Sequence, residues 1–96
     1  MDSIRRATLQ DIDRVAPLFD AYRQFYGQNS DLDGVRRFLI ERTERAQSVI
    51  LIAGDDAGFA QLYPSFSSVR MRSTMILNDL YVRPEARSRG IGAALL

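Results

Sequence analysis

Between residues 77 and 96 a run of strand formers passes through an arginine- and glycine-bearing turn into an apolar helical run. This junction limits the chain to folds in which a β-strand delivers its carboxyl end to the start of a helix. The turn reads Arg87-Ser88-Arg89-Gly90-Ile91-Gly92. Backbone N–H groups at a helix start are unpaired, and the macrodipole places about half a positive charge there. Gly90 and Gly92 let an anion approach the backbone with no Cβ in the way. Arg87 and Arg89 add charge-assisted hydrogen bonds. The pattern is a candidate pyrophosphate cradle. A dinucleotide fingerprint needs a third glycine at position 95, where Leu95 stands. A Walker loop needs a lysine, and the chain has none.

The elements leading to the junction follow from where the apolar period changes. Residues 3–7 read as a short first strand. Thr8-Leu9-Gln10-Asp11 has the form of a capping box, with Thr8 as the cap and Asp11 at the third position. Ile12, Val15, Ala16, Phe19, Tyr22 and Tyr26 then recur at helical spacing, on a helix ending near Gly27. Pro17 lies inside it and is expected to kink the helix or move its boundary. Ser30-Asp31-Leu32-Asp33 is a second cap signal, ahead of the stripe Leu32, Val35, Phe38 and Leu39 on a helix to about Arg45. Arg36, Arg37, Arg42 and Arg45 read as its solvated face. From Ser48 the composition becomes that of strands. Residues 48–53 are β-branched and apolar, 54–58 form a turn, and 59–63 begin the return strand. Pro64 with Ser65, Ser67 and Ser68 is expected to loosen that strand's end. Residues 73–82 form a long strand broken by Arg83-Pro84-Glu85, residues 87–92 read as a loop, and 90–96 begin a helix. The predicted order is β-α-α-β-β-β-α, an α/β (α+β) domain.

Composition removes most chemistries from that scaffold. All thirteen basic residues are arginine, and there is no histidine, cysteine, lysine or tryptophan. No disulfide, zinc finger, thiol nucleophile, Ser-His-Asp triad or lysine Schiff base can be built from it, and no metal site is expected. Thirteen bases against twelve acids leave a net charge of +1, too weak a field to imply nucleic acid. The longest apolar run, residues 49–53, is far short of the ~20 residues a membrane span needs. The first residues carry no apolar core of a secretory signal. A soluble cytoplasmic protein without nucleic-acid or membrane partners is expected. Ninety-six residues suffice for one modest core, burying roughly 60–65% of the surface the unfolded chain exposes. The last helical run stops at Leu96 in mid-stripe, without a C-cap, glycine or polar tail. The expectation is a single domain over residues 1–96, incomplete at its carboxyl end.

The stretch from 77 to 96 resembles motif A of the GNAT superfamily of N-acetyltransferases, whose signature Gln/Arg-x-x-Gly-x-Gly/Ala is met by Arg87, Gly90 and Gly92. Within it, Gly58-Phe59-Ala60-Gln61-Leu62-Tyr63, then Leu77-Asn78-Asp79-Leu80-Tyr81-Val82, then the turn itself are similar to the diamine (spermidine/spermine) acetyltransferases. The resemblance implies a mixed, mostly antiparallel bent sheet, of which this chain carries the part up to the start of the motif A helix. It implies acetyl-CoA as co-substrate, no metal, and an amine acceptor. The pantetheine would pair with the backbone of Leu80, Tyr81 and Val82. The pyrophosphate would take the amides of Ser88, Arg89, Gly90, Ile91, Gly92 and Ala93, with Arg87 and Arg89 alongside.

The implied reaction is direct attack of a primary amine on a thioester. An alkylammonium has a pKa near 10.4 and must lose a proton before it attacks. The developing oxyanion needs a positioned donor, for which the Leu80 N–H is the candidate. Asn78 and Asp79 stand where related diamine enzymes carry Glu-Asp, and Asn78 has no capacity to accept the proton. Asp79 then acts directly, through a water, or only by attracting a cation; the alternative is a structural hydrogen-bond acceptor. Asn78 and Asp79 face opposite ways in an ideal strand, although the family commonly has a bulge here. Tyr22, Phe25 and Tyr26 either line the acceptor cleft or belong to the core. A non-catalytic acyl-CoA-binding or protein-interaction module is the alternative function. An unpaired flank on the fourth strand predicts a homodimer or another chain-completing self-association.

Overall fold

The computed structural model describes residues 3–96, apart from the side chain of Ser88. Four strands, β1 (Ile4–Arg6), β2 (Val49–Ala53), β3 (Gly58–Ser67) and β4 (Arg72–Val82), form one sheet in the order β1-β2-β3-β4. Every neighbouring pair is antiparallel. Two helices, α1 (Ile12–Phe25) and α2 (Leu32–Glu44), fill the connection from β1 to β2, and a short α3 (Ile91–Leu95) follows β4. The element order is the predicted one. None of the described helices is long and apolar enough to cross a membrane.

The capping box forms as read. Thr8 N–H donates to Asp11 Oδ2 at 2.8 Å, and Gln10 N–H donates to Thr8 Oγ1 at 3.3 Å. It opens a 3-10 turn, Leu9–Asp11, that leads into α1. Arg5 adds two bonds to the Asp11 carboxylate, at 2.9 and 2.7 Å, which fasten β1 to the helix start. That guanidinium, with the Thr8 amide, holds the Asp11 carboxyl well below the usual range. α1 runs through Pro17 without interruption, contrary to the expected boundary. The proline lies on the exposed face, where the Asp13 carbonyl that loses its helical donor is open to water.

The second cap signal also forms, at its second residue. Asp31, not Ser30, caps α2, accepting from Gly34 N–H at 3.0 Å. Ser30 Oγ instead donates to Asp20 Oδ2 at 2.6 Å, and Asp31 N–H donates to Asp20 Oδ1 at 2.7 Å. Asp20 is buried, so it ties α1 to the start of α2.

The two faces of the sheet carry separate apolar clusters. Ile12, Val15 and Phe19 of α1 and Val35 and Leu39 of α2 pack on Ile50, Ile52 and Phe59. On the other face Ala53 and Ala60 pack with Ala86, Ile91 and Leu95, which seats α3. Phe59 is completely buried; a side chain of that size contributes about 1.5–3 kcal/mol when removed from water.

Three local expectations are corrected. β3 does not loosen at Pro64 but continues to Ser67, with Pro64 opposite Met75 and Ser67 opposite Arg72. Beyond Leu62 the β3–β4 hairpin has left β2 behind, and a strand with a free edge tolerates a missing N–H. Residues before the glycines are not a loop but a 3-10 turn, Pro84–Arg89, which Gly90 ends in the left-handed region at φ +74°. Arg42 leaves the solvated helix face and lies over the Phe38 ring, 5.0 Å from its centroid, whereas Arg36 and Arg45 are exposed and paired with Asp13 and Glu41.

Candidate active site

The site begins with a fault in the β3–β4 ladder. Phe59 opposes Tyr81, Ala60 opposes Leu80 and Gln61 opposes Asp79, but the next rung sets Leu62 against Leu77. Asn78 is the extra residue of a β-bulge. A bulge re-aims side chains that would otherwise alternate. Asn78 Nδ2 accordingly donates to Asp79 Oδ1 at 3.0 Å, and both side chains line one cleft. Asp79 is buried and Asn78 exposed.

That first cleft, about 410 Å³, opens between α1, the start of α2 and β4. Phe19, Tyr22, Phe38 and Tyr63 form its aromatic walls around Asp79. A second cleft, about 370 Å³, is lined by Tyr22, Tyr26, Leu80, Val82, Arg87 and Gly92, among others. Tyr22 borders both. Its ring meets Phe59 and Tyr81 at centroid distances of 5.9 and 6.3 Å. Burial first, then the hydrogen bond and charge of Asp79, push the Tyr22 phenol up to about 12. Burial and the same carboxylate also raise Tyr63. Near neutral pH both phenols are therefore uncharged donors.

The register decides which backbone groups of β4 face the second cleft. Arg83 N–H donates to the Ala57 carbonyl at 2.9 Å. Backbone polar groups alternate along an antiparallel strand, so those of Tyr81 turn towards β3 while those of Leu80 and Val82 point to the open edge. The Val82 carbonyl accepts from Arg87 Nε at 2.8 Å, and the Arg87 guanidinium lies 5.6 Å from the centroid of the Tyr81 ring. Of the three residues expected to offer backbone groups there, Tyr81 offers its ring instead.

At the turn, the Ala94 N–H donates to the Gly90 carbonyl at 3.1 Å, which is the first helical bond of α3. The amides of Ile91, Gly92 and Ala93 precede it and have no helical acceptor. A Cβ built on Gly90 would meet nothing within 4 Å, so the space beside that residue is open. Arg89 lies on the exposed end of the 3-10 turn, and the Ser88 backbone lies within it; the Ser88 side chain is outside the described residues. The turn thus sets amides without a helical acceptor beside an open glycine.

The structure brings Asn78, Asp79 and Tyr22 to the first cleft, and Leu80, Tyr81, Val82, Arg87 and Gly92 to the second. Tyr26 joins the second cleft rather than Asp79, because it lies one turn beyond Tyr22, at the residue that caps the end of α1; Phe25 is with it. Gln61, Tyr63 and Phe38 escaped the sequence reading as site residues. Gln61 had a signal: an amide at a strand position where the alternation of Phe59 and Tyr63 calls for an apolar side chain. No group of three or more His, Cys, Asp or Glu able to hold a metal ion occurs among the described residues.

The chain is similar to known proteins in sequence and in fold. An uncharacterized N-acetyltransferase of Bacillus subtilis is 54% identical over 97 residues, which are 98% of this chain and 65% of the relative. The chain therefore spans about two thirds of that relative's length. A crystal structure of a probable acetyltransferase superposes with a TM-score of 0.92 at 46% identity, over 97% of this chain and 65% of the other. A predicted acetyltransferase of Clostridium acetobutylicum, crystallised with acetyl-CoA, superposes with a TM-score of 0.75 at 16% identity, over 99% and 68% of the two chains, and shows the shared fold. The acetyltransferase (GNAT) family profile matches residues 15–96, a span that takes in all but the first three residues of α1, the bulged β4 and the glycine turn. With both clefts falling inside that match, the chain belongs to the acetyltransferase (GNAT) family.

Proposed function

We propose that this fold transfers acetyl from acetyl-CoA to a primary amine of a small, polyamine-like molecule or a peptide, the amine entering the first cleft and the pantetheine arm the second. One observation carries the reading: the two clefts meet at Tyr22, with the Asp79 carboxylate on one side and the open edge of Leu80 and Val82 on the other. The aromatic walls and the carboxylate suit a cation on an apolar stem. The acetyl-CoA named with the Clostridium acetyltransferase supports the choice of donor.

Each residue then has a task. The amides of residues 88–93, with Arg87 and Arg89, hold the diphosphate. The outward N–H of Leu80 donates to the thioester oxygen as it gains charge. Asp79 attracts the ammonium and takes its proton, directly or through a water. Asn78 orients Asp79 through its Nδ2 and accepts no proton itself. The amine nitrogen bonds to the acetyl carbon, the carbon–sulfur bond breaks, and the second proton that the nitrogen sheds as it becomes an amide passes through water to the departing coenzyme A thiolate. Self-association along the stretch of β4 before the bulge, residues 72–77, which leaves Leu80 and Val82 to the pantetheine arm, and residence in the cytoplasm complete the proposal, with residues 1–96 belonging to one acetyltransferase domain.

The test is thiol release from acetyl-CoA over a panel of primary amines, read with a thiol-reactive dye. The protein has no cysteine, so every thiol detected comes from coenzyme A. Amine-dependent release supports the proposal. Retention of coenzyme A with no release for any amine would instead identify an acyl-CoA-binding module.

A further inference from the structure

We propose that Gln61 is a positioning residue, fixing Asp79 for the amine from inside the sheet without touching the amine itself. This rests on the first cleft being the acceptor site. Gln61 is fully buried, and it lies directly opposite Asp79 on the last regular rung before the bulge. Its Nε2 donates to Asp79 Oδ2 at 2.9 Å, while Asn78 Nδ2 reaches Oδ1 at 3.0 Å. The carboxylate is therefore held at both oxygens. The two holds differ in kind: Asn78 is exposed and water can replace it, whereas no water reaches the side of Gln61.

The other end of Gln61 argues against a purely structural role. Its Oε1 is buried and has no hydrogen-bond partner among the described residues. A half-satisfied buried amide is destabilising, and replacing both members of such a pair by apolar groups of the same shape is often neutral or favourable. An apolar side chain would continue the alternation of β3 at lower cost. What an apolar side chain lacks is the donor that keeps the Asp79 carboxylate in one orientation, beside Tyr22 and at the floor of the cleft.

The experiment is a double-mutant cycle in the full chain: Gln61→Met, Asp79→Asn and the two combined, with Gln61→Leu as a second substitution. Calorimetry with n-butylamine in the presence of coenzyme A gives the acceptor affinity, titration with acetyl-CoA alone gives the donor affinity, and steady-state rates separate KM from kcat. Gln61→Met is expected to weaken butylamine binding about fivefold or more and to raise its KM more than it lowers kcat; acetyl-CoA affinity stays within about twofold. In the Asp79→Asn background the same substitution changes butylamine affinity less than about twofold, because the group it positions is gone. Equal losses in both backgrounds, or no loss where Asp79→Asn does lose affinity, overturn the role of Gln61 and leave the acceptor reading standing. Failure of both Gln61→Met and Gln61→Leu to fold, judged by circular dichroism, makes Gln61 a core residue and also overturns it. If the unaltered protein neither binds nor acetylates butylamine while Asp79→Asn behaves identically, the acceptor reading fails, and this inference fails with it.

Discussion

Tyr22 and Tyr81 meet nearly edge to face, ring centroids 6.3 Å apart and planes inclined at 74°. Tyr22 borders both clefts, and Tyr81 backs it in the second. Tyr22 adds its hydroxyl on the Asp79 side, and Tyr81 carries the Arg87 guanidinium on the other. Tyr22→Phe keeps the ring contact and removes the donor. Amine kcat/KM should fall roughly tenfold, the worth of a hydrogen bond to a charged group, while acetyl-CoA affinity is unchanged. The phenol lies at about 12, so the shape of the pH–rate profile between about pH 6 and 9 should be the same in both proteins. A profile that loses an inflection in Tyr22→Phe would show that Tyr22 carries a proton in the reaction.

Acid should unfold the protein through two carboxylates. Arg5 and the Thr8 amide lower the Asp11 carboxyl. For Asp20, burial works to raise the pKa, but the Ser30 hydroxyl, the Asp31 amide and the charge of Arg23 together outweigh it, and the net shift is downward. A lowered folded pKa means that the unfolded chain takes up protons first as the pH drops. The stabilisation is complete above the unfolded value near 4 and is lost as the pH falls towards the folded values. Melting temperatures should be flat above about pH 5 and fall below about pH 4. Asp20→Asn, which cannot titrate, should flatten part of that fall; an unaltered slope in both Asp11→Asn and Asp20→Asn would assign it to other groups.

Local signals in the sequence carried the element order and the turn because each is written within a few neighbouring residues. Thr8 and Asp11 cap one helix start, and the change from helical to strand-like apolar runs at Ser48 marks the sheet. Asn78 and Asp79 were legible as a pair, but the bulge that turns both to one cleft depends on the register of β3 against β4. Gln61 acquires its meaning only from the residue opposite it, eighteen positions along the chain. Ser30 illustrates the same limit: as a local cap it competes with Asp31, and the decision falls to the distant Asp20, which draws the Ser30 hydroxyl away. Pro64 misled because its effect depends on whether β3 has a neighbour at that point, which is a property of the sheet.

The two glycines of the turn should respond in opposite ways. A Cβ at Gly92 would meet Val82 Cγ2 at 3.9 Å, an ordinary contact, and alanine is favoured over glycine in a helix by roughly 1 kcal/mol. Gly92→Ala should therefore raise the melting temperature by a few degrees. Gly90 sits at φ +74°, where asparagine and aspartate are the most tolerated substitutes. Gly90→Asp should weaken coenzyme A binding more than about tenfold by setting a carboxylate against the diphosphate, and Gly90→Asn far less. Equal affinity in Gly90→Asp and Gly90→Asn, measured by calorimetry, would remove the diphosphate from this turn.

The far end of the β3–β4 hairpin should govern self-association. Phe66 is 82% exposed, Val69 95% and Met71 89%, and Met75, Ile76 and Leu77 continue the apolar character along β4. No acidic residue occurs between Asp56 and Asp79, while Arg70 and Arg72 sit at the tip. Apolar side chains on an unpaired edge favour pairing with a second copy, and the like-charged arginines oppose it. Sedimentation should therefore show a dimer that strengthens as salt rises from about 50 to 500 mM, since screening weakens the repulsion. Phe66→Glu removes an apolar contact but sets a carboxylate among the partner's arginines, whereas Met71→Ser only removes a contact. Met71→Ser should thus weaken the dimer in both salt conditions, and Phe66→Glu should reverse the salt dependence. A monomer at every concentration up to about 100 μM, in either salt, would leave the edge of β4 to some other neighbour.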